Sequence, residues 1–391
     1  MLPAYLPTCL PALRIAITTD WLTASGGAER VIAEMRKIFP FAPLFTTVLG
    51  EGCPEYLRHN VHSSRLQKLH CIFPDHRLLL PLLPKAVESW DLRGYDIVLS
   101  SSHAVAKGCI PPSTARHICY CHTPMRYIWE MEEKYLDDLG LFGPARSFVK
   151  WQFGKLRKWD RTTAKRVDLF IANSHTTQER IRRIYSRESI VLHPPVDDQF
   201  FQFPVRMSGA GLRTKDMGLG AHSPLSLVPS PYFLAVGRLV PYKRFDLLIE
   251  ASRTLGFPLT IAGIGSDLPR LKRLAQGSGV TFLEHVPEDA LPKLYSDATA
   301  LLFPAHEDAG IVPLESQACG TPVIAFKKGG VLDTVLEGKT GIFFEKQTVA
   351  ALKVALEKFR KTSFDPKFIR EHARKFSSEK FRDKLQEIIT S

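Results

Sequence analysis

One pattern constrains this chain more than any other. Short runs of apolar, strand-like residues alternate with helix-like segments, and the alternation stops and then restarts. In the first half, Leu13–Thr19 (LRIAITT) reads as a strand, Gly26-Gly27 as a turn and Ala28–Ile38 as a helix. Tyr95–Ser100, Arg116–Cys121, Asp168–Asn173 and Ser189–His193 read as further strands. Residues 204–231 then lose both periods in a stretch dominated by Gly, Ser and Pro. The alternation resumes with strands at Tyr232–Gly237, Leu259–Ala262, Val280–Leu283, Ala300–Pro304 and Pro322–Phe326. Helices are expected over Tyr242–Leu255, Asp267–Gln276 and Glu288–Asp297, with a short one from about Gly310. Strands alternating with helices argue a parallel, doubly wound sheet. We therefore expect an α/β chain of two Rossmann-like units facing a cleft, the natural ligand site. The expected division is residues 1–203, a linker at 204–231, a second unit at 232–377, and a last helix, 378–391, crossing back to the first.

The length of 391 residues suits two such cores rather than one. No apolar stretch reaches the eighteen or so residues of a membrane-spanning helix. The opening segment is apolar but carries three prolines and no charge before Arg14, unlike a secretory signal. Residues 1–12 read as a loose extension or a start placed too early. Seven cysteines without framework spacing suit reduced thiols in the cytoplasm. His117, Cys119 and Cys121 would share one strand face, but no second ligand pair lies near them, and no metal site is expected.

The formal net charge of +12 is uneven. Residues 145–166 hold eight Lys/Arg and one Asp among Phe148, Trp151, Phe153, Leu156 and Trp159. That is a basic amphipathic helix, which can pack its aromatics inward, meet anionic lipid headgroups, or do both. Nucleic acid is not expected as a partner, because no recognisable nucleic-acid module accompanies the charge.

Four motifs carry chemistry. Gly26-Gly27-x-Glu29 follows the first strand, where glycines let backbone N–H groups approach a phosphate at a helix N-terminus. It lacks the G-x-G-x-x-G of a dinucleotide fingerprint, and Gly263-Ile264-Gly265 has Leu268 at the third glycine's place, which disfavours a dehydrogenase. Arg238 and Lys243 flank a strand-to-helix turn, where two cations can grip a diphosphate and neutralise it as it leaves. Glu307, at a strand end just before a helix, and Glu315, about two turns into it, are expected to share one face of the segment, with backbone N–H groups near Gly310 aimed at whatever occupies the helix start. Cys121-His122-Thr123-Pro124 leaves a strand, so His122 would face the cleft from the first unit.

From about residue 13 onward the chain resembles glycosyltransferase family 4, retaining enzymes of the GT-B fold. The motifs that carry the resemblance are Glu307…Glu315, Arg238…Lys243, the Gly26-Gly27 loop and His122, in the expected order. The stretches CHTPMRYIWE, LRKWDRTTAKRVDLFIANS, VLHPPVD and GRLVPYKRFDLLIEA are similar to the O-antigen and polysaccharide mannosyltransferase subgroup. The resemblance implies a nucleotide-sugar donor, with Arg238 and Lys243 on its diphosphate and Glu315 on its ribose. It further implies Glu307 on the sugar hydroxyls, backbone N–H groups of Ala309 and Gly310 near the phosphate, and His122 touching the sugar from the acceptor side and stabilising charge in the transition state. The Gly26-Gly27 loop would close over the phosphates. Ala309 departs from the subgroup, which usually carries an aromatic residue there.

No Asp-x-Asp occurs in the sequence, so transfer is expected to need no metal and no cofactor, with the two cations in a metal's place. GDP-mannose is the expected donor, with UDP- or ADP-sugars as alternatives. A glycan acceptor, carried on lipid at an inner membrane face in polysaccharide biosynthesis, is expected from the basic helix and the subgroup. The rivals are a nucleotide-sugar epimerase or a phosphorylase on the same architecture, and a non-catalytic membrane-surface protein.

Overall fold

The computed structural model describes residues 13–24, 26–72, 79–138, 140, 142–204 and 231–391. The chain divides into two compact units, Met1–Leu192 with Lys384–Ser391, and His193–Asp383. Nearly all of the 204–231 stretch and all of residues 1–12 lie outside the described residues.

The first unit is built on a seven-stranded parallel sheet. Its strands are β1 (Ile15–Thr19), β2 (Leu44–Thr46), β3 (Val61–Ser63), β4 (Ile97–Ser102), β5 (Arg116–Cys121), β6 (Leu169–Ala172) and β7 (Ser189–Val191). They run in the order β3-β2-β1-β4-β5-β6-β7. The second unit carries six parallel strands: β8 (Phe233–Val236), β9 (Leu259–Ala262), β10 (Val280–Leu283), β11 (Ala300–Phe303), β12 (Val323–Phe326) and β13 (Gly341–Phe344). Their order is β10-β9-β8-β11-β12-β13. In both sheets the chain winds outward one way from the first strand and then the other way from a later one. That reversal opens a crevice at the carboxyl ends of β1 and β4, and of β8 and β11.

Strands of the second sheet are apolar without interruption because both faces are covered. Leu234, Leu301, Phe303, Val323 and Ala325 enter one core. Their neighbours Phe233, Ala235, Leu302 and Ile324 enter the other. A parallel sheet buried on two sides requires this composition, and it makes these strands legible. Strands β2, β3 and β13 go beyond those the sequence announces. The first two are three residues long, and β13 opens on a glycine.

The boundary between the units falls after Leu192, not after residue 203 as expected from the sequence. Val196, Phe200 and Phe201 are buried in the core of the second unit. Arg370 donates to the Phe203 carbonyl, and the Cys319 thiol to that of Phe200. The helix Ser378–Thr390 passes from one unit's residues to the other's. Lys384–Ser391 group with the first unit, where Arg116 donates to the Ile389 carbonyl.

The basic helix spans Gly143–Thr163 and is anchored to the first sheet by one buried ion pair. Lys107 and Asp160 have side chains 2% and 0% exposed, and Lys107 Nζ lies 2.7 Å from Asp160 Oδ1. Trp129 Nε1–H and the Tyr185 hydroxyl donate to the other carboxylate oxygen at 2.8 and 2.9 Å. Removing one partner of such a pair strands an uncompensated charge, at a cost of about 3–5 kcal/mol.

Phe153 and Leu156 point from this helix into the core, and Trp159 packs against it. Phe148 and Trp151 do not. They are 57% and 54% exposed, with ring centres 5.7 Å apart. His117, Cys119 and Cys121 do share one side of β5. The two ring nitrogens of His117 are engaged by Ser100 and the Arg166 carbonyl, and both thiols sit in an apolar cluster with Phe170 and Ile181.

Candidate active site

At the carboxyl end of β8 the chain passes through Gly237, whose φ of +146° is a glycine conformation. The 3-10 turn Pro241–Lys243 follows, and Arg244, at φ +60°, leads into the helix Phe245–Leu255. This path folds Lys243 back over the strand end. A Cβ at Gly237 would lie 2.9 Å from Lys243 Nζ. Arg238 is exposed beside it. Gly263 and Gly265, the failed fingerprint, have a different duty. Cβ atoms there would lie 2.1 and 2.2 Å from the carbonyls of Gly237 and Leu239, so their absence lets the loop after β9 support the loop after β8.

Glu307 comes from the other side of the crevice, four residues past β11. Its carboxylate is 2.7 Å from Lys243 Nζ, and the two side chains are 19% and 12% exposed. Burial alone would lower the Lys243 ammonium's pKa, but the Glu307 carboxylate, together with Tyr242, lifts it above its ordinary value. Lys243 therefore carries its charge at neutral pH.

The loop bearing Glu307 is held by close backbone packing. Glu307 bridges Gly329, and Gly330 N–H donates to the Glu307 carbonyl at 2.9 Å. Cβ atoms at Gly329 and Gly330 would fall 2.1 Å from the Glu307 carbonyl oxygen and 2.2 Å from that of Asp308. Sequence reasoning misses these two glycines, although a Gly-Gly pair just past a strand is a readable signal.

Glu307 precedes the helix and Glu315 lies within it, but the segment between them is not continuous. Gly310, at φ +69°, breaks the segment, and the helix begins only at Ile311. Glu307 thus sits in a loop, whereas Glu315 is 3% exposed in the second turn and accepts the Tyr295 hydroxyl at 2.7 Å. Ala309 and Gly310 lie at the helix start. There the first backbone N–H groups have no partner within the helix and favour an anion.

In the first unit, Gly26 caps the helix Gly27–Ile38 in extended backbone that any residue adopts, and a Cβ there would come 3.1 Å from Glu29 Oε2. Glu29, buried in the first turn, already sets a carboxylate in the helix's positive end. His122, just past β5, shares a hydrogen bond of 2.9 Å with the Ser101 hydroxyl and packs edge-on to Tyr120 and His103. Burial, with His103 beside it, pushes its pKa down to about 3. Nothing in the sequence signals Asp20 and His103, which meet at the carboxyl ends of β1 and β4.

Two family models match the chain. "Glycosyltransferase Family 4" covers residues 25–200 and "Glycosyl transferases group 1" covers 224–377. The chain is 31% identical over 252 residues to a GDP-mannose-dependent alpha-(1-6)-phosphatidylinositol monomannoside mannosyltransferase of Mycolicibacterium smegmatis, 56% of this chain and 63% of that protein. It is 33% identical over 184 residues to a D-inositol 3-phosphate glycosyltransferase of Geodermatophilus obscurus, 40% of each. The matched stretches thus span less than two thirds of these relatives. Among solved structures, sucrose-phosphate synthase of Thermosynechococcus elongatus superposes with a TM-score of 0.70 at 17% identity, covering 96% of this chain and 98% of that one. Anabaena HepE in complex with UDP gives 0.65 at 17%, covering 97% and 100%. These likenesses show the GT-B type of α/β fold.

The His122 shift sets a pH dependence. Unfolded histidine titrates near 6.5, so between pH 6.5 and about 3 the unfolded chain binds a proton here that the folded one does not. The first unit should therefore be more stable above pH 6.5 and lose stability as pH falls through that window. All five tryptophans lie in this unit and report its unfolding alone. Denaturant titrations followed by tryptophan fluorescence should show a shallower acid loss in His122→Asn than in the parent. An equal slope in both would contradict a His122 that stays neutral in the folded chain.

Proposed function

Since the chain belongs to glycosyltransferase family 4, we propose that it transfers a hexose from a nucleotide-sugar to a hydroxylated acceptor with retention at the anomeric carbon. The observation that carries this reading is the Lys243–Glu307 pair at the crevice of β8 and β11, with Arg238 beside it. Two cations against one carboxylate leave a net positive pocket, suited to a diphosphate. In an oxocarbenium-like transition state the leaving diphosphate gains charge, and fixed cations and N–H dipoles stabilise it most at that moment.

In this reading Arg238 and Lys243 bind the diphosphate, and backbone N–H groups at Ala309 and Gly310 add helix-terminus donors. Glu307 contacts sugar hydroxyls while holding Lys243 charged and aimed. Glu315, oriented by Tyr295, takes the ribose. His122, uncharged, meets the sugar through hydrogen bonding rather than as a cation. The Gly26-Gly27 loop approaches the phosphates through its backbone. The cations do the work of a divalent metal, so no metal or other cofactor is required.

GDP-mannose is the proposed donor. It is supported by the mannosyltransferase-like stretches and by the likeness to the GDP-mannose-dependent enzyme of Mycolicibacterium smegmatis. UDP- and ADP-sugars are the alternatives, and a nucleotide-sugar panel read by thermal stabilisation separates them, since a bound donor raises apparent stability by mass action. With the stabilising donor, Lys243→Ala should lower turnover by about a hundredfold or more while its melting temperature stays near that of the parent. Near-normal transfer by this variant would rule out the assignment.

We further propose that the acceptor is a lipid-linked glycan of a polysaccharide pathway, reached from the cytoplasmic face of a membrane. Among the described residues no helix is long and apolar enough to cross a membrane. The exposed stripe of Gly143–Thr163 combines Phe148 and Trp151 with Lys155, whose ammonium stacks 3.5 Å above the Trp151 ring, and Lys158. Aromatics that enter an interface, flanked by lysines that meet phosphate, suit an anionic bilayer. Phe148→Glu/Trp151→Glu should abolish co-sedimentation with phosphatidylglycerol-containing vesicles and leave donor-induced stabilisation intact. Equal sedimentation of variant and parent would exclude this surface.

A further inference from the structure

Two consecutive serines of β4 each meet a histidine, and alternation along the strand sends them to opposite faces of the sheet. On one face the Ser100 hydroxyl lies 2.9 Å from His117 Nε2, and His117 Nδ1 lies 3.0 Å from the Arg166 carbonyl oxygen. A carbonyl only accepts, so Nδ1 of this ring carries the hydrogen and Nε2 presents the lone pair that Ser100 meets. His117 is completely buried, and burial pushes its pKa down to about 4. The neutral ring has both nitrogens satisfied.

On the other face the Ser101 hydroxyl lies 2.9 Å from His122 Nε2. Ser101 is completely buried, and His122 is its hydroxyl's only hydrogen-bond partner among the described residues. The pKa of about 3 keeps the His122 ring neutral at neutral pH, so only one of its nitrogens is protonated. Were that nitrogen Nε2, the hydroxyl would have to accept, and its own hydrogen would be left unpaired in a dry site. If the hydroxyl donates instead, it is satisfied and Nδ1 carries the ring's hydrogen. His122 thus repeats the His117 arrangement up to its last member. Its Nδ1 has no acceptor among the described residues, and the residue is half-buried, not sealed in the core. It stands one position past β5, at the carboxyl ends of the parallel strands, where ligands bind in this class of fold.

We propose that Ser101 is a positioning residue that donates to Nε2, fixes His122 as the Nδ1-protonated tautomer and so makes it a hydrogen-bond donor to a sugar oxygen. This deepens the transferase reading above and rests on it. What the Arg166 carbonyl does for His117, a lone pair of the sugar oxygen does for His122. His122 touches the substrate, and Ser101 acts only through the ring. The direction of the bond matters, because a ring held as a donor selects a ligand with an accepting atom at that point.

Spectra and kinetics test the proposal together. In ¹⁵N-histidine spectra, the signal absent from His122→Asn should report an Nδ1-protonated ring in the parent and move toward the Nε2-protonated form in Ser101→Ala. In transfer assays with the donor found by the panel, Ser101→Ala should lower kcat/KM about tenfold, the expected loss for one oriented hydrogen bond. Ser101→Thr, which keeps the hydroxyl, should recover part of that loss. Placed on top of His122→Ala, Ser101→Ala should cost nothing further, since its effect passes through the ring. His122→Asn, whose amide can donate from the place of Nδ1, should transfer faster than His122→Ala. Should Ser101→Ala fail to fold, the parent spectrum and the two His122 variants carry the test. An Nε2-protonated ring in the parent, a parental kcat/KM or an additive loss in the Ser101→Ala variants, or equal transfer by the two His122 variants overturns the proposal alone. A parent that transfers from no nucleotide-sugar overturns it together with the transferase reading.

Discussion

One ion pair joins the two sides of the second unit's crevice. Lys243 and Glu307 come from loops on opposite sides of the reversal in the sheet, and their charged atoms meet at 2.7 Å. Neither loop reaches that position by propensity. Lys243 gets there because Gly237 adopts a glycine-only φ and leaves room for the ammonium. Glu307 gets there because Gly329 and Gly330 let two backbone segments touch. Gly263 and Gly265 serve the same purpose one layer away. Five glycines thus secure one contact, and an added methyl at any of them moves a charge.

The first unit repeats the arrangement with the opposite polarity. At its own reversal, Asp20 after β1 meets His103 after β4, but here the anion is the buried member. Four backbone donors satisfy the carboxylate, so its charge persists in a dry site. The second unit's pair keeps both charges partly exposed, whereas the first unit buries its anion completely. The same topology delivers both because the carboxyl ends of parallel strands supply loops free to carry either sign.

Much of this is legible in the sequence, for identifiable reasons. Strands such as β8, β11 and β12 are buried on both faces and therefore read as unbroken apolar runs. Arg238, Lys243, Glu307 and His122 stand just past strands, where chemistry collects in this class of fold. What is not legible depends on contacts distant in the chain. The i,i+8 spacing of the glutamates suggests one face of the segment, but Gly310 turns the backbone between them. Asp20 and His103 are 83 residues apart, and nothing local marks their meeting. The sequence misplaces the unit boundary because Val196, Phe200 and Phe201 are apolar in a way either core could use. Tertiary packing alone assigns them to the second.

If the chain is a nucleotide-sugar transferase of the kind proposed, Lys243 reads the outer phosphate of its donor. The most direct measurement compares, by calorimetry, the affinities of the parent and of Lys243→Met for a nucleoside diphosphate and for the monophosphate of the same base. Loss of a charge-assisted contact to the outer phosphate should weaken the diphosphate by roughly ten- to a hundredfold and leave the monophosphate nearly unchanged. An equal effect on both ligands, or on neither, would contradict it.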